Sequence, residues 1–367
     1  MTTPTGLPSN SAKEQATAKS TSPQSKIGVL MPSWIGDACM ATPALHALRQ
    51  TFPDAELVGL MRPVIAEMLA DGPTPFDQQI LFEKKSRPGL ATRWGLVPLV
   101  RQARLDTFVL LTNSFWSAML AKLSGARRTV GYARDGRGWL LSEPVPAARD
   151  THGYVRSSPV DCYLELVQRL GCEGSDRQMR LGISPADERS ADSLWHLLDF
   201  DIGHPTLVIN SNAATDDGRV WPASRVLELS QTVAEQLGWQ VLLHCGRGER
   251  QVANDIAMRA NHPRIGSMGA VDDLPLGLTK AVMRRAHMVV TTDSGPRHIA
   301  TAMGRTVLTL YGTTTPDWTR TYNVPEIEIV APDVPSSDTL TPRIHHLGVA
   351  RVFGEIQRTS QRLKTAA

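Results

Sequence analysis

The chain has 367 residues, about twice the usual size of one domain, so its length predicts two domains. Hydrophobic residues make up 41% and charged residues 20%, a balance typical of a globular protein with an ample core. The net charge of +3 is too small for bulk charge to indicate a nucleic-acid-binding protein. The four cysteines lie far apart, which excludes a disulfide scaffold and a zinc ribbon. No apolar run approaches the roughly 18 residues of a membrane span, so we expect a cytoplasmic protein.

The first 25 residues, Met1 to Ser25, differ in composition from the rest of the chain. They are rich in Ser, Thr, Pro, Ala and Gln and nearly lack large apolar side chains. Such a segment cannot bury enough surface to offset the entropy lost on ordering. A secretory signal would need an apolar stretch of roughly 7–15 residues, and none is present. We therefore predict a disordered tail.

The first half of the remaining chain alternates short apolar runs with helical spacing. The runs Ile27–Met31, Ala55–Met61 and Thr107–Thr112 are predicted strands, and Asp37–Leu48 and Phe115–Leu123 have helical spacing. This alternation predicts βαβ units and a parallel sheet. Because helices cover both faces of such a sheet, its strands are continuous apolar runs.

The same alternation restarts near residue 205. The predicted strands are Thr206–Asn210, Gln240–His244, Met288–Thr292 and Val307–Tyr311. The polar segment Ser184–Pro205, with one amphipathic helix over Asp187–Leu198, marks the boundary between the halves. We predict an α/β fold in which two Rossmann-like, doubly wound parallel sheets face each other across a cleft. The predicted divisions are an N-terminal domain over 26–190, a C-terminal domain over 200–350 and a helix or tail over 351–367.

Motifs of common cofactors are absent or incomplete. The pair Gly246 and Gly248 follows a predicted strand, but Gln251 stands where a dinucleotide fingerprint needs its third glycine. The sequence has no P-loop, no H-E-x-x-H and no G-x-S-x-G. Asp199 and Asp201 form a D-x-D pair, but they fall in the predicted linker, where charges are usually solvated. We therefore predict no metal site and no bound cofactor.

The turn Pro32–Asp37 joins the first predicted strand to the first predicted helix. Gly36 permits an unusual backbone angle, and Asp37 falls at or near the start of the helix, at the carboxyl edge of the sheet. An aspartate there is either an ordinary N-cap or a general base that faces the cleft. Position alone leaves both interpretations open.

A second turn of this kind follows the strand Met288–Thr292. Asp293 comes directly after the strand, and Ser294 and Gly295 open a helix whose free N–H groups suit an anion such as a diphosphate. His298 lies one turn further along and could reach the same ligand. The alternative is a plain helix start with His298 in the core.

Arg219 is the third candidate for this edge of the fold. It follows the strand Thr206–Asn210 and places a permanent cation where two of its N–H groups could bind phosphate oxygens. The neighbouring Asp216 and Asp217 could instead make it part of a surface ion pair.

Together these segments resemble the ADP-heptose:lipopolysaccharide heptosyltransferases of glycosyltransferase family 9, especially the heptosyltransferase II type. The matching pieces are SWIGDACMATPALHALR at 33–49, RVWP at 219–222, TDSGPRHIATAMGRTVLTLYG at 292–312 and TTTPD at 313–317. They stand in the family's order and spacing, and the resemblance covers roughly residues 26–357. It implies the GT-B fold, with the acceptor on the N-terminal domain and the nucleotide sugar on the C-terminal domain.

The resemblance also implies a role for each matching residue. Asp37 corresponds to the general base, and Arg219 replaces a usual lysine that contacts the diphosphate. Glu249 falls near an acidic residue that the family uses toward the nucleoside. The motif that holds ADP and the donor sugar corresponds to Asp293, Ser294, Gly295 and His298. The implied reaction displaces ADP directly, inverts the anomeric centre and uses no metal or other cofactor.

The implied partners are ADP-heptose and a lipid-linked lipopolysaccharide core acceptor, with no nucleic acid. Membrane contact would be at most peripheral, at the cytoplasmic face of the inner membrane. Arg127, Arg128, Arg134 and Arg137 could contact an anionic acceptor, although we favour a solvated surface for them. Two alternatives to the heptosyltransferase remain. One is a GT-B enzyme with another nucleotide sugar or acceptor, and the other is a non-catalytic nucleotide-sugar-binding module.

Overall fold

The computed structural model describes residues 25–73, 76–83, 94–151, 153–155, 157–174, 176–211, 218–322, 324–332 and 343–366. The predicted disordered tail lies outside these residues except for Ser25. The backbone oxygen of Ser25 accepts a hydrogen bond of 3.0 Å from the Glu56 amide.

The first half of the chain builds a six-stranded sheet in which every neighbouring pair is parallel. Its order is β3-β2-β1-β4-β5-β6. The strands are β1 (Lys26–Leu30), β2 (Glu56–Met61), β3 (Gln78–Leu81), β4 (Thr107–Leu110), β5 (Arg128–Tyr132) and β6 (Glu143–Val145). A short antiparallel pair, β7 (Arg149–Asp150) and β8 (Gly153–Tyr154), follows it.

The second half repeats the same topology in a second six-stranded parallel sheet, with the order β11-β10-β9-β12-β13-β14. Its strands are β9 (Thr206–Asn210), β10 (Gln240–Leu243), β11 (Ile265–Ser267), β12 (Met288–Thr292), β13 (Thr306–Tyr311) and β14 (Glu326–Val330). This is the doubly wound order of nucleotide-binding sheets, in which ligands bind where the strand order reverses. The reversal falls between β1 and β4 in one sheet and between β9 and β12 in the other.

The helices cover both faces of these sheets, as the continuous burial of the central strands requires. Those with the first sheet are α1 (Ile35–Thr51), α2 (Pro63–Leu69), α3 (Leu96–Gln102), α4 (Phe115–Ser124) and α5 (Pro159–Gln168). The later ones are α6 (Pro185–Leu197), α7 (Ala223–Gln236), α8 (Arg250–Ala260), α9 (Leu276–Arg285), α10 (Gly295–Ala302) and α11 (Val349–Ala366). The fold class and the predicted strands are confirmed, while the predicted domain bounds stay predictions.

The two halves contact each other through helices at the carboxyl edges of their sheets. Helix α1 packs against α10, and Gly295 lies against the side chain of Ile35. At a second contact, Glu67 Oε1 accepts a 2.7 Å hydrogen bond from the Leu276 amide at the start of α9. The buried Lys280 donates to the Ala70 oxygen at 3.1 Å. These contacts bring the turn after β1 to the turn after β12.

Candidate active site between the two sheets

Asp37 lies in the first turn of α1 and faces the second half of the molecule. The N-cap of this helix is Trp34, without a side-chain cap, so the interpretation of Asp37 as an N-cap is wrong. Its carboxylate has no hydrogen-bond partner among the described residues. Burial raises its pKa from 3.8 to about 6, and the negative charge of Asp293 adds to the rise. The pKa of the Asp37 carboxyl therefore lies closer to neutral pH than that of an ordinary aspartate.

Asp293 follows β12 directly and is buried, with 5% of its surface exposed. Its Oδ1 accepts hydrogen bonds from Arg297 Nη1 at 2.9 Å and from Thr319 Oγ1 at 3.1 Å. Its backbone oxygen accepts a third from Arg219 Nη1 at 3.0 Å. The structure thus brings Arg219 to the turn that opens α10, as the sequence predicted.

Arg219 is half-buried, and the backbone around it is closely packed. The oxygen of Gly218 would lie 2.9 Å from a Cβ at Gly312, so the turn before Arg219 rests on the end of β13. The proposed surface ion pair with Asp216 and Asp217 falls outside the described residues. A guanidinium at the start of a helix adds its charge to the free N–H groups and the positive dipole end.

Ser294 is the N-cap of α10 and belongs to a buried polar network. Its Oγ accepts a 3.0 Å hydrogen bond from Asn210 Nδ2. The other end of that amide, Asn210 Oδ1, lies 2.9 Å from His244 Nδ1. Thr279 Oγ1 is 3.2 Å from the other ring nitrogen. Because an amide oxygen only accepts, His244 carries its proton on Nδ1. Burial lowers the pKa of His244 to about 4, so the ring is neutral at physiological pH.

His298 is buried, with 3% of its surface exposed, and its Nδ1 has no hydrogen-bond partner among the described residues. Its burial fits the interpretation of His298 as a core residue, but buried polar atoms are nearly always paired, so the Nδ1 without a partner sets it apart from an ordinary core histidine. Burial, with the charge of Arg297, lowers its pKa to about 4. A neutral ring with a free nitrogen at this position suits a hydrogen bond to a ligand.

Glu249 lies in the short 3₁₀ turn after β10, at the same edge of the second sheet. Its Oε2 accepts a 2.6 Å hydrogen bond from the Gly246 amide and so closes that turn. The structure therefore places Glu249 at the carboxyl edge of the strand next to β9, with one carboxylate oxygen already used locally.

The predicted solvated surface of the first half fits Arg127, which is exposed, but not Arg137. Arg137 is fully buried, so a solvated position is wrong for it. Its guanidinium donates to the backbone oxygens of Tyr132, Thr112 and Ser114, each at 2.9 Å. It therefore orders the loop after β4, at the carboxyl edge of the first sheet.

No group of three or more His, Cys, Asp or Glu side chains that could hold a metal is found in the part of the chain that the structure describes. Within the same residues, no helix has the length and apolar character needed to cross a membrane. The D-x-D pair makes a turn, in which Asp199 has a φ of 54° and Asp201 Oδ1 caps the Gly203 amide at 2.9 Å.

Several residues around the site were not predicted from the sequence. Arg297 lies inside the motif that begins at Asp293, but the sequence predicted no role for it. Asn210 and His244 are the last residues of predicted strands. Polar residues at the carboxyl ends of buried parallel strands are a signal for such positions. The unpredicted residues are Asn210, His244, Arg297, Thr319 and Glu326.

Comparison with known proteins gives one consistent group. Residues 93–341 match the model of glycosyltransferase family 9 (heptosyltransferase). Lipopolysaccharide heptosyltransferase 2 of Escherichia coli K12 is 23% identical over 310 residues, covering 80% of this chain and 84% of that protein. A solved glycosyltransferase family 9 protein from Veillonella parvula has a TM-score of 0.76 at 19% identity, covering 90% of this chain and 95% of that one. The structure of E. coli ADP-heptose LPS heptosyltransferase II has a TM-score of 0.74 at 21% identity, covering 93% of this chain and 100% of that one. These likenesses confirm the GT-B fold.

Proposed function

The chain belongs to glycosyltransferase family 9 and is a glycosyltransferase, and from that premise we propose that it transfers a heptose from ADP-heptose to a lipopolysaccharide core sugar with inversion. The relatives support the substrates, since their names include lipopolysaccharide heptosyltransferases 2 and 3. One observation carries the mechanism. The Asp37 carboxylate, on a helix that packs against α10, interacts electrostatically with Asp293 in the turn that opens α10, and its pKa is raised to about 6.

On the donor side, the proposed ADP site is the start of α10. Ser294 and Gly295 present backbone N–H groups at the positive end of the helix dipole, and Arg219 adds a fixed positive charge. His298 contributes a neutral nitrogen without a partner among the described residues. We place Glu249 toward the nucleoside because it lies at the end of the neighbouring strand β10.

The proposed chemical step begins at the acceptor hydroxyl, which is a poor nucleophile while it keeps its proton. Asp37 takes that proton as the oxygen attacks the anomeric carbon, and ADP leaves from the opposite face. The attack inverts the configuration because bond formation and bond breaking occur on opposite faces of the sugar. Negative charge grows on the diphosphate, where Arg219 and the start of α10 stabilise it. This step needs no metal ion.

We place the acceptor at the carboxyl edge of the first sheet. Three large aromatic side chains are exposed there: Trp34 after β1, Phe115 after β4 and Trp139 after β5. These strands are neighbours about 4.8 Å apart, so the rings share one edge of the sheet. Aromatic faces stack on the apolar faces of sugar rings, which fits a core oligosaccharide. The lipid-linked form of such an acceptor would bring the protein to the cytoplasmic face of the inner membrane by peripheral contact.

The test combines ligand binding with turnover. ADP at about 100 times its dissociation constant should stabilise the protein by about 2.7 kcal/mol in a thermal-shift assay, without magnesium. UDP, GDP and CMP are the matched controls. Transfer from ADP-heptose to lipopolysaccharide that lacks the outer heptose should then be abolished in D37N, with ADP binding retained. Selective stabilisation by UDP or GDP would replace the proposed donor, and D37N with wild-type turnover would overturn the general base.

A further inference from the structure

Arg297 is the third residue of α10, and its guanidinium is completely buried behind the proposed donor site. Its Nη1 donates to Asp293 Oδ1 at 2.9 Å and to Thr319 Oγ1 at 2.6 Å. Thr319 Oγ1 in turn donates to the same carboxylate oxygen at 3.1 Å. One oxygen of Asp293 therefore accepts hydrogen bonds from two different side chains.

The other side of the guanidinium is anchored on the last strand of the sheet. Arg297 Nε donates to Glu326 Oε1 at 2.7 Å, and Glu326 is itself nearly buried on β14. Thr309 Oγ1 donates to the same oxygen at 2.6 Å, and the Thr321 hydroxyl donates to Oε2. Glu326 thus has hydrogen bonds on both oxygens, and Arg297 lies between two carboxylates.

This arrangement ties three separate segments to each other. The turn between β12 and α10 carries Asp293, the segment after β13 carries Thr319, and β14 carries Glu326. A buried ion pair of this kind adds little net stability compared with an apolar pair, but its removal leaves charges without compensation. The cluster therefore suits a role in geometry and charge more than one in stability alone.

The position of Asp293 makes its charge relevant to the reaction. Asp293 interacts electrostatically with Asp37 across the contact between the two halves. Because the negative charge of Asp293 favours the protonated form of Asp37, the position of the Asp293 carboxylate affects the pKa of the proposed base. Arg297 is the cation that contacts the Asp293 carboxylate directly.

We propose that Arg297 is a positioning residue that links the Asp293 carboxylate to Glu326 on β14, so that the negative charge of Asp293 keeps a fixed place beside Asp37, the proposed base. This inference rests on the proposed function. It assigns to Arg297 and Glu326 the positioning of the Asp293 carboxylate in the donor turn. The other groups that face the two carboxylates are Arg219, Tyr163, Cys39, His298, Tyr311 and, next to Cys39, Lys280.

The test is the pH dependence of kcat/KM for ADP-heptose in two variants of opposite sign. R297M removes a positive charge beside Asp293, which favours the protonated form of Asp37, so the acid limb should move up by about 0.5 to 1 pH unit. E326Q removes a negative charge, so the acid limb should move down. R297K should restore most of the wild-type profile, because it keeps the charge. In R297M the donor KM should rise about tenfold, because Asp293 loses its anchor.

R285M is the control for the loss of a buried arginine. Arg285 contacts Glu188 and Asp192 on α6, away from the cleft, with only 14% of its side chain exposed. R285M should lower the melting temperature but leave the acid limb and the donor KM unchanged. If R297M fails to fold, the downward shift in E326Q carries the test.

An acid limb in R297M or E326Q that matches the wild type would overturn the proposal, as would shifts of the same sign in both. ADP binding and heptose transfer are measured on the wild type first. If the wild type does both, an unchanged acid limb in the variants contradicts the role of Arg297 and leaves the proposed function standing. Absence of transfer in the wild type would reject the function itself.

Discussion

Gly36 lies directly against the ring of His298: a Cβ built at Gly36 would be 2.7 Å from His298 Cδ2 and 3.3 Å from Nε2. Gly36 precedes the proposed base, and His298 belongs to the proposed donor site on the other sheet. Gly36 is not among the glycines with positive φ, so the expectation that it provides an unusual backbone angle is wrong. Its lack of a side chain instead allows the two turns to meet.

G36A should therefore separate the base from the donor. A Cβ at 2.7 Å from a ring atom forces a shift, so we expect kcat to fall about tenfold or more, with a smaller loss of ADP affinity. Steady-state kinetics and ADP titration measure the two effects separately. G348A is the control, because no atom lies within 4 Å of a Cβ there. Equal effects in both variants would show that the close approach of the two turns has no role in turnover.

Because the pKa of Asp37 is raised, we expect its ionised carboxylate to lower the free energy of unfolding at neutral pH. The folded protein holds the carboxyl with a pKa of about 6, against 3.8 when unfolded, so folding favours the protonated form. This preference contributes its full stabilisation to the folded protein below about pH 4, and the contribution is lost as the pH rises through about 6. D37N, which cannot ionise, should therefore be more stable than wild type at pH 8 by about 1–3 kcal/mol.

Urea denaturation at pH 8 and pH 4 measures this difference. Most of the gain in the free energy of unfolding should disappear at pH 4, where Asp37 of the folded wild type is protonated and neutral. Activity of the wild type should fall as the pH decreases through about 6, because the base becomes protonated. A D37N variant that is less stable than wild type at pH 8 would contradict the burial of an ionised Asp37.

The sequence predicted the parts of the fold that follow from local pattern. Continuous apolar strands and helical spacing located β1, β9 and β12 to within a residue or two. The short edge strands β3, β6 and β11 were not predicted, because three or four residues on the edge of a sheet carry little apolar pattern.

The sequence proposed candidate site residues mainly from short motifs. Asp293, Ser294 and His298 form one motif, and Asp37 has its own turn. The burial of Arg137 and Arg297 could not be predicted, since an arginine is usually exposed unless distant partners surround it. Those partners, such as Glu326 for Arg297, are known only once the sheets are formed.

Arg219 should contribute to ADP binding more than to the fold. Its Nη1 donates to the Asp293 oxygen, which keeps the guanidinium at the start of α10. R219A should weaken ADP binding about tenfold or more, and R219K should recover part of it, because lysine keeps the charge but not the planar pair of donors. Isothermal titration with ADP and with adenosine measures the effect.

Two comparisons make the Arg219 result specific. Adenosine lacks phosphates, so its affinity should not change in R219A. R225A removes an arginine on α7 that pairs with Glu228 at the surface, and it should bind ADP as the wild type does. Equal ADP affinity in R219A and wild type would place Arg219 outside the phosphate site.

Asn210 should connect stability to donor binding through the buried network behind Ser294. Its amide donates to Ser294 Oγ at 3.0 Å and to Thr291 Oγ1 at 3.1 Å, and its oxygen faces His244. N210A removes the acceptor of the His244 Nδ1–H and one partner of each hydroxyl, which still donates to the Thr292 oxygen. A buried group left unsatisfied costs about 1–3 kcal/mol. Ser294 would also lose the contact that orients its hydroxyl, so ADP affinity should fall.

N254A is the matched comparison for Asn210. Asn254 is also partly buried and donates to the Gly269 oxygen at 3.0 Å, but it lies on α8 and not beside Ser294. It should lose about 1 kcal/mol of stability in urea denaturation and keep the ADP affinity of the wild type. If N210A lost stability without any loss of ADP affinity, the network would support the sheet alone and Ser294 would not depend on it to bind the donor.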